Sequence, residues 1–256
     1  MIDELKNLVV KAGDIFKQGF YSKKTITMKG TVDLVTEYDI AVEEFLKPHL
    51  QKMYPDLQII GEESFIGESY PSSGVFIDPI DGTTNFAHGL PFCAISVGVW
   101  RDGVPLQAVV YNPIMNEMFW AVKNEGAYCN KEKLSVSSTD ILQNALISTG
   151  FPYTKANASE DFEWTMKRLS NVLPNTRDIR RYGSASLDIC YTARGVYDCF
   201  YEINLKAWDT SAAVLILLEA GGSVSNEFGD SYTLNDKCIV GTNSKLHSDF
   251  IALLGC

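Results

Sequence analysis

An apolar run, Val75-Phe76-Ile77, leads directly into Asp78-Pro79-Ile80-Asp81-Gly82-Thr83-Thr84. Branched and aromatic residues ahead of a proline read as a short strand buried on both faces. In a continuous strand side chains alternate, so Asp78 and Asp81 would point to opposite faces. Pro79 keeps Asp78 extended, fixes its own φ and removes a donor, and Gly82 permits a tight change of direction. The strand is therefore expected to stop at Asp78 and turn. Past the turn, Thr83 and Thr84 can open a short helix whose unpaired N–H groups face the same place as the carboxylates. Two anions, the carbonyl of Ile80, two hydroxyls and a helix N-terminus together suit a hard cation and a phosphate. Aspartate also favours turns and helix caps, so this stretch alone does not decide the matter.

Two further segments add weight. Glu62, in Gly61-Glu62-Glu63-Ser64, is the first acid beyond the apolar run Leu57–Ile60, while Glu63 reads as solvated. Asp209 stands at the start of the nearly all-apolar helix that runs from Ala207 to Ala220, where it can also serve as an N-terminal cap. Each of these acids ends a buried element, and carboxylates drawn together raise one another's pKa unless a cation compensates. All-oxygen ligands, with only His49, His88 and His247 in the chain, point to Mg²⁺ or Mn²⁺ rather than Zn²⁺. A phosphatase that attacks phosphorus with the first aspartate of D-x-D-G-T does not fit, because two residues separate Asp78 from Asp81.

The rest of the chain bounds the class. With 256 residues, 46% of them hydrophobic, it can bury one large core or two closely packed halves. A net charge of -10 disfavours nucleic acid as the main partner. No apolar run reaches the length of a membrane span, and the acidic start (Asp3, Glu4) is unlike a signal peptide. The cysteines at 93, 129, 190, 199, 238 and 256 include no CxxC pair, which predicts buried thiols in a cytoplasmic protein.

Apolar periodicity predicts a first helix through Ile2–Phe16 and a second from about Thr36 to Tyr54, with Asp39 in a capping-box position. Strands follow at LQIIGEE, VFIDPID, CAISVGVW, PLQAVVY and EMFWAVK, with hairpins at Asp102-Gly103 and Asn112-Pro113 and hence an antiparallel sheet. The second half alternates: a helix at 160–172, a short strand before Gly183, a helix at 185–194, the strand CFYEI, the apolar helix at 207–220, a short strand and a last helix after Ser244. We read one α/β unit with two packed subdomains, 1–135 and 136–256.

In order and spacing, GEES, DPIDGTTNFAHG and WDTSAAVLILLEAGG resemble the three signatures of the inositol monophosphatase family of Mg²⁺-dependent, lithium-sensitive phosphatases. The resemblance spans essentially the whole chain. It implies an α/β (α+β) fold, the layered αβαβα sandwich, and a homodimer. It implies that Glu62, Asp78 and the Ile80 carbonyl hold one Mg²⁺, that Asp78, Asp81 and Asp209 hold a second, and that Glu62 serves a third, weaker ion. By the same resemblance Glu62, Thr83 and Asp39 are catalytic, the Thr83 hydroxyl paired with Asp39 helping to activate water for in-line attack. Gly82 and Thr83 would contact phosphate through backbone amides, and Gly183, Ser184, Ala185 and Glu202 would contact the substrate. Lys29 matches a mobile loop position, and Ser186 reads as no more than a helix start.

Inositol 1-phosphate is the first expectation for substrate, with fructose 1,6-bisphosphate and NADP as rivals. Arg180 and Arg181 stand where a second phosphate, a subunit contact or solvent could each account for them. Val75, Ser211 and Ala213 depart from the usual tryptophan, alanine and glycine of the family, which bears on packing rather than on ligands. Some bacterial relatives associate with the transcription machinery, so a regulatory, protein-binding role is the alternative from a different class.

Overall fold

The computed structural model describes residues 1–28, 34–157 and 159–255; the Lys29 expectation and Cys256 lie outside them. α1 (Ile2–Tyr21) carries Leu5, Leu8, Val9, Ala12 and Phe16 on one buried stripe, the spacing of a half-buried helix. A hairpin, β1 (Ile26–Met28) with β2 (Leu34–Thr36), leads into α2 (Glu37–Met53). The capping box forms as read: the Thr36 amide donates to Asp39 Oδ2 at 2.8 Å, and the Tyr38 amide donates to Thr36 Oγ1 at 3.2 Å.

A sheet of seven strands follows in chain order: β3 (Ile59–Gly61), β4 (Gly74–Asp81), β5 (Ala94–Arg101), β6 (Val104–Asn112), β7 (Glu117–Val122), β8 (Gly126–Cys129) and β9 (Glu132–Lys133). The six-residue α3 (Thr83–His88) interrupts it after β4. Both residues of the Asp102-Gly103 turn have positive φ, 49° and 75°, the conformation a two-residue hairpin needs. The sheet is antiparallel except at its edge, where β3 pairs parallel with β4. That one pair departs from the antiparallel expectation, because residues 62–73 carry the chain back across before β4 begins.

The second sheet contains β10 (Leu146–Thr149), β11 (Asp178–Arg180), β12 (Cys199–Ile203), β13 (Ser223–Ser225) and β14 (Cys238–Thr242), in the order β11-β10-β12-β14-β13. Among these strands run α4 (Glu160–Val172), α5 (Ala185–Ala193) and α6 (Ala207–Glu219), and α7 (His247–Leu254) closes the chain.

Three apolar cores order these parts into layers. The first packs α1 and α2 on Val75, Ile77, Ile95, Val97 and Val109 of the large sheet. The second joins the opposite face of that sheet, at Phe76, Trp100 and Phe119, to α5 and α6 and to Phe200 and Ile239 of the small sheet. The third packs α4 and α7 on the far face of the small sheet through Ile147, Tyr201 and Val240. The result is helix, sheet, helix, sheet, helix, as the α/β sandwich expectation required. Glycine makes the central contact possible: a Cβ at Gly98 on β5 would lie 2.5 Å from Ser211 Oγ and 2.7 Å from the Ala212 nitrogen of α6. Cys93, Cys129, Cys190, Cys199 and Cys238 are buried free thiols. No helix among the described residues is long and apolar enough to cross a membrane.

Candidate active site

The two aspartates reach one face by a route the sequence did not show. β4 does not stop at Asp78; it continues to Asp81 through a bulge. Asp78 pairs with Ser96 and Asp81 with Ala94, so three steps along β4 match two along β5. One inserted residue inverts the alternation beyond it. Ile80 accordingly joins Val75 and Ile77 in the core beneath α1 and α2, and Asp81 returns to the face that carries Phe76. Pro79 suits the bulge because it has no N–H to leave unpaired, and the Ile80 amide is held by Asp78 Oδ1 at 3.0 Å.

Glu62 follows β3, its amide donating to the Ile77 carbonyl at 3.1 Å, which brings the loop alongside the end of β4. Beneath it, Glu43 Oε2 accepts the Glu63 amide at 2.8 Å. Asp209 enters from the second half of the chain at the first turn of α6, where Oδ2 accepts the Lys206 amide at 2.7 Å. Its expected capping role is thus present. Glu62, Asp78, Ile80, Asp81, Gly82, Thr83 and Asp209 line one cavity of about 210 Å³, together with Tyr153, Lys206 and Trp208. Among the described residues no three acidic, histidine or cysteine side chains close on a single point as a finished cage. Asp78, Asp81 and Asp209 each spend an oxygen on backbone or hydroxyl donors.

Electrostatics at this cavity is severe. Burial, then the negative charges of Glu62, Asp81 and Asp209, pushes the Asp78 carboxyl well above the usual carboxylate range. Burial and Glu62 do the same to Asp209. Asp81 is raised by burial and pulled back by donors from α5: Ser184 Oγ at 2.7 Å, the Ser186 amide at 2.7 Å, the Ala185 amide at 3.2 Å and the Ser186 hydroxyl. Ser186, read as merely a helix start, therefore holds Asp81. The chemistry of this donor set, carboxylates and one carbonyl with no nitrogen or sulfur, suits a hard divalent cation.

Asp39 connects the first helix pair to the cavity. Its Oδ2 takes the Thr36 amide and, at 2.6 Å, the Thr36 hydroxyl, and its Oδ1 lies 3.2 Å from the Thr83 hydroxyl. That hydroxyl also lies 3.0 Å from the Ile80 carbonyl. At 1% exposure, Asp39 is shielded from bulk water.

A second cavity of about 140 Å³ shares Asp81, Gly82, Tyr153, Lys206 and Asp209 with the first. Gly183, Ser184, Ala185 and Glu202 line it, joined by Thr84, Phe151, Lys155 and Arg181. Burial raises Glu202 to about 8, opposed mainly by the Arg181 charge. Arg180 is absent from both linings and pairs instead with Asp178 at 2.5 Å. Asp188 went unread in the sequence. It is buried in α5 with no hydrogen-bond partner for either oxygen among the described residues, and burial with the charges of Glu202 and Asp81 lifts it well above the usual range. A lone acid inside the apolar stretch Leu187–Cys190 was the available signal.

Acids from three separate segments, a hydroxyl paired to a buried carboxylate, and an adjoining polar cavity define a phosphate-ester hydrolase on an αβαβα scaffold. The chain belongs to the inositol monophosphatase family, whose model matches residues 1–255, and is a phosphoric monoester hydrolase of that family. It is similar to inositol monophosphatase 2 of Solanum lycopersicum, 39% identical over 95% of this chain and 94% of the relative. It is also similar to the Nus factor SuhB of Pasteurella multocida, 41% identical over 87% of this chain and 84% of the relative. Among solved structures, the extragenic suppressor protein suhB of Bartonella henselae superposes with a TM-score of 0.89 at 32% identity, covering 98% of this chain and 96% of that one.

Proposed function

We propose that the chain is a Mg²⁺-dependent phosphatase of polyol or sugar monophosphates, inositol 1-phosphate first among them. One observation carries this reading: Glu62, Asp78, Asp81 and Asp209 line a single cavity in which burial and mutual repulsion oppose their ionisation. Glu62, Asp78 and the Ile80 carbonyl would hold one ion, and Asp78, Asp81 and Asp209 a second; Mn²⁺ offers the same preference for oxygen. Bound there, such ions supply charge neutralisation of these acids, polarisation of the phosphoryl oxygens and acidification of a water.

The chain's own groups do the rest. Asp39, fixed by two donors from Thr36, accepts the Thr83 hydroxyl proton and so turns the Thr83 oxygen toward an attacking water as acceptor. The Gly82 and Thr83 amides stand at the cavity to stabilise charge growing on the phosphoryl oxygens. In-line attack forms a bond from the water oxygen to phosphorus as the bond from phosphorus to the ester oxygen breaks; the water gives up a proton through the Thr83 hydroxyl to Asp39, and the leaving ester oxygen takes one up from solvent. Glu202 and the Gly183–Ala185 segment face the polyol, where a carboxyl that keeps its proton can both donate to and accept from hydroxyls.

Fructose 1,6-bisphosphate and NADP are the competing substrates. Hydrolysis of inositol 1-phosphate, fructose 1,6-bisphosphate and NADP, compared at saturating Mg²⁺, tests the choice. Highest kcat/KM on inositol 1-phosphate is expected, and turnover of the bisphosphate alone would overturn it. The relative named as a Nus factor supports a second reading, a regulatory contact with a protein partner beside the chemistry. A pull-down whose partner survives Asp209→Ala would favour it. In either case we propose a homodimer in the cytoplasm.

A further inference from the structure

Glu43 lies on α2 at 3% exposure and lines neither cavity, yet it grips the segment that carries Glu62. Its Oε2 accepts the Glu63 amide at 2.8 Å. One helical turn on, Lys47 Nζ stands 3.8 Å from Glu43 Oε1 and donates to the Ser64 hydroxyl at 2.7 Å. The carboxyl also lies flat against the end of β3, where a Cβ at Gly61 would come within 2.3 Å of Glu43 Cδ. Glycine is needed at 61 for this close approach.

The other bonds of the segment come from its own turn and from β4. The Gly61 carbonyl accepts the Ser64 and Phe65 amides at 3.3 and 2.9 Å, and the Glu62 amide donates to the Ile77 carbonyl at 3.1 Å. Glu43 and Lys47 add two bonds from the helix side, on the two residues directly after Glu62. A buried carboxylate is costly unless it is paired, and a neutral acceptor would satisfy a lone amide equally well. What the charged oxygen adds is a shorter, stronger and better-directed bond, which matters where a backbone position must be held closely.

We infer that Glu43, braced by Lys47, is a positioning residue that sets the reach of Glu62 into the acid cavity and thereby the affinity of that cavity for a divalent cation. The inference rests on the Mg²⁺ reading and deepens it, because it assigns control of the affinity to a residue that touches neither the ion nor the ester. Groups that hold a metal ligand from behind commonly govern affinity by about 10–100-fold.

Calorimetric titration of Mg²⁺ into the metal-free parent, Glu43→Gln, Glu43→Ala and Gly61→Ala tests this, with the Tm of each measured without metal. Glu43→Ala and Gly61→Ala should bind Mg²⁺ about tenfold more weakly, the second by displacing the carboxyl with no change of charge. Glu43→Gln should recover part of the loss, since its amide oxygen still accepts from the Glu63 N–H. With inositol 1-phosphate, the Mg²⁺ concentration giving half the maximal rate should rise by the same factor, while KM for the ester and kcat at saturating Mg²⁺ stay within about twofold. A purely structural role would lower Tm and leave Mg²⁺ affinity unchanged, and that result overturns the inference. Should Glu43→Ala and Gly61→Ala fail to fold, Lys47→Met and Ser64→Ala decide at the outer end of the brace: about threefold weaker Mg²⁺ binding supports it and equal affinity overturns it. A parent that takes up no Mg²⁺ removes the metal reading and this inference together, whereas uptake by the parent with equal affinity in the variants removes the inference alone.

Discussion

Asp78 and Glu202 are both buried acids near the end of an inner strand, one on the seven-stranded sheet and one on the five-stranded sheet. Burial is the first cause lifting each. Their neighbours differ in sign. Around Asp78 stand Glu62, Asp81, Asp209 and Asp39, every one of which raises it further. Around Glu202, Arg181 and Lys155 pull back against burial, while Asp81 adds to it. The large sheet thus presents a concentration of negative charge that needs a cation from outside. The small sheet presents mixed charge suited to reading a substrate.

The largest effect that could break this contrast is at Asp78. Asp78→Asn should cut kcat/KM by about 10³-fold, as expected when several kcal/mol of charge stabilisation are lost. The same change should raise the Tm of the metal-free protein by relieving like-charge crowding. Activity within a few-fold of the parent in a Mg²⁺ assay would remove Asp78 from the site. Next in size, Thr83→Val should lower kcat about 10²-fold with little change in KM, because it deletes the hydroxyl between Asp39 and the cavity while conserving shape. A rise in KM alone, with kcat unchanged, would assign Thr83 to binding.

Glu202 sharpens the contrast through pH. A folded-state pKa near 8, against an ordinary 4.5, means the folded chain holds a proton that the unfolded chain has released. The stability tied to that proton is complete below about pH 4.5 and is lost as pH rises through 8. Metal-free Glu202→Gln should therefore gain on the parent as pH climbs from 5 to 8, by about 10 °C of Tm. A difference in Tm that stays constant over that range would show that Glu202 ionises normally.

Much of the fold was readable because its signals are local. The stripe from Leu5 to Phe16, the Thr36–Asp39 cap and the Asp102-Gly103 turn each follow from a few adjacent residues. The final strand pairings were less so. β10 escaped notice because Leu146–Thr149 is only four residues long and its parallel partners lie more than thirty residues on, at Asp178–Arg180 and Cys199–Ile203. One short strand was read near the end where β13 and β14 both form. At the site, each motif marked its own acid, since a carboxylate beyond an apolar run stands out. The bulge did not, because an extra residue in β4 is defined only by its register with β5. Ser186, Asp188 and Lys155 stayed hidden for a similar reason: a serine at a helix start, an acid in a helix and a lysine in a turn gain meaning only from what packs against them.

The central claim is that Glu62, Asp78, Asp81 and Asp209 together form one cation site. Calorimetric titration of the parent and of Asp209→Asn with Mg²⁺, at pH 7 in two buffers of different ionisation enthalpy, addresses it directly. The account predicts uptake by the parent with protons released as the raised acids ionise, and much weaker uptake by the variant. No heat beyond dilution in the parent, or identical binding by Asp209→Asn, would contradict it.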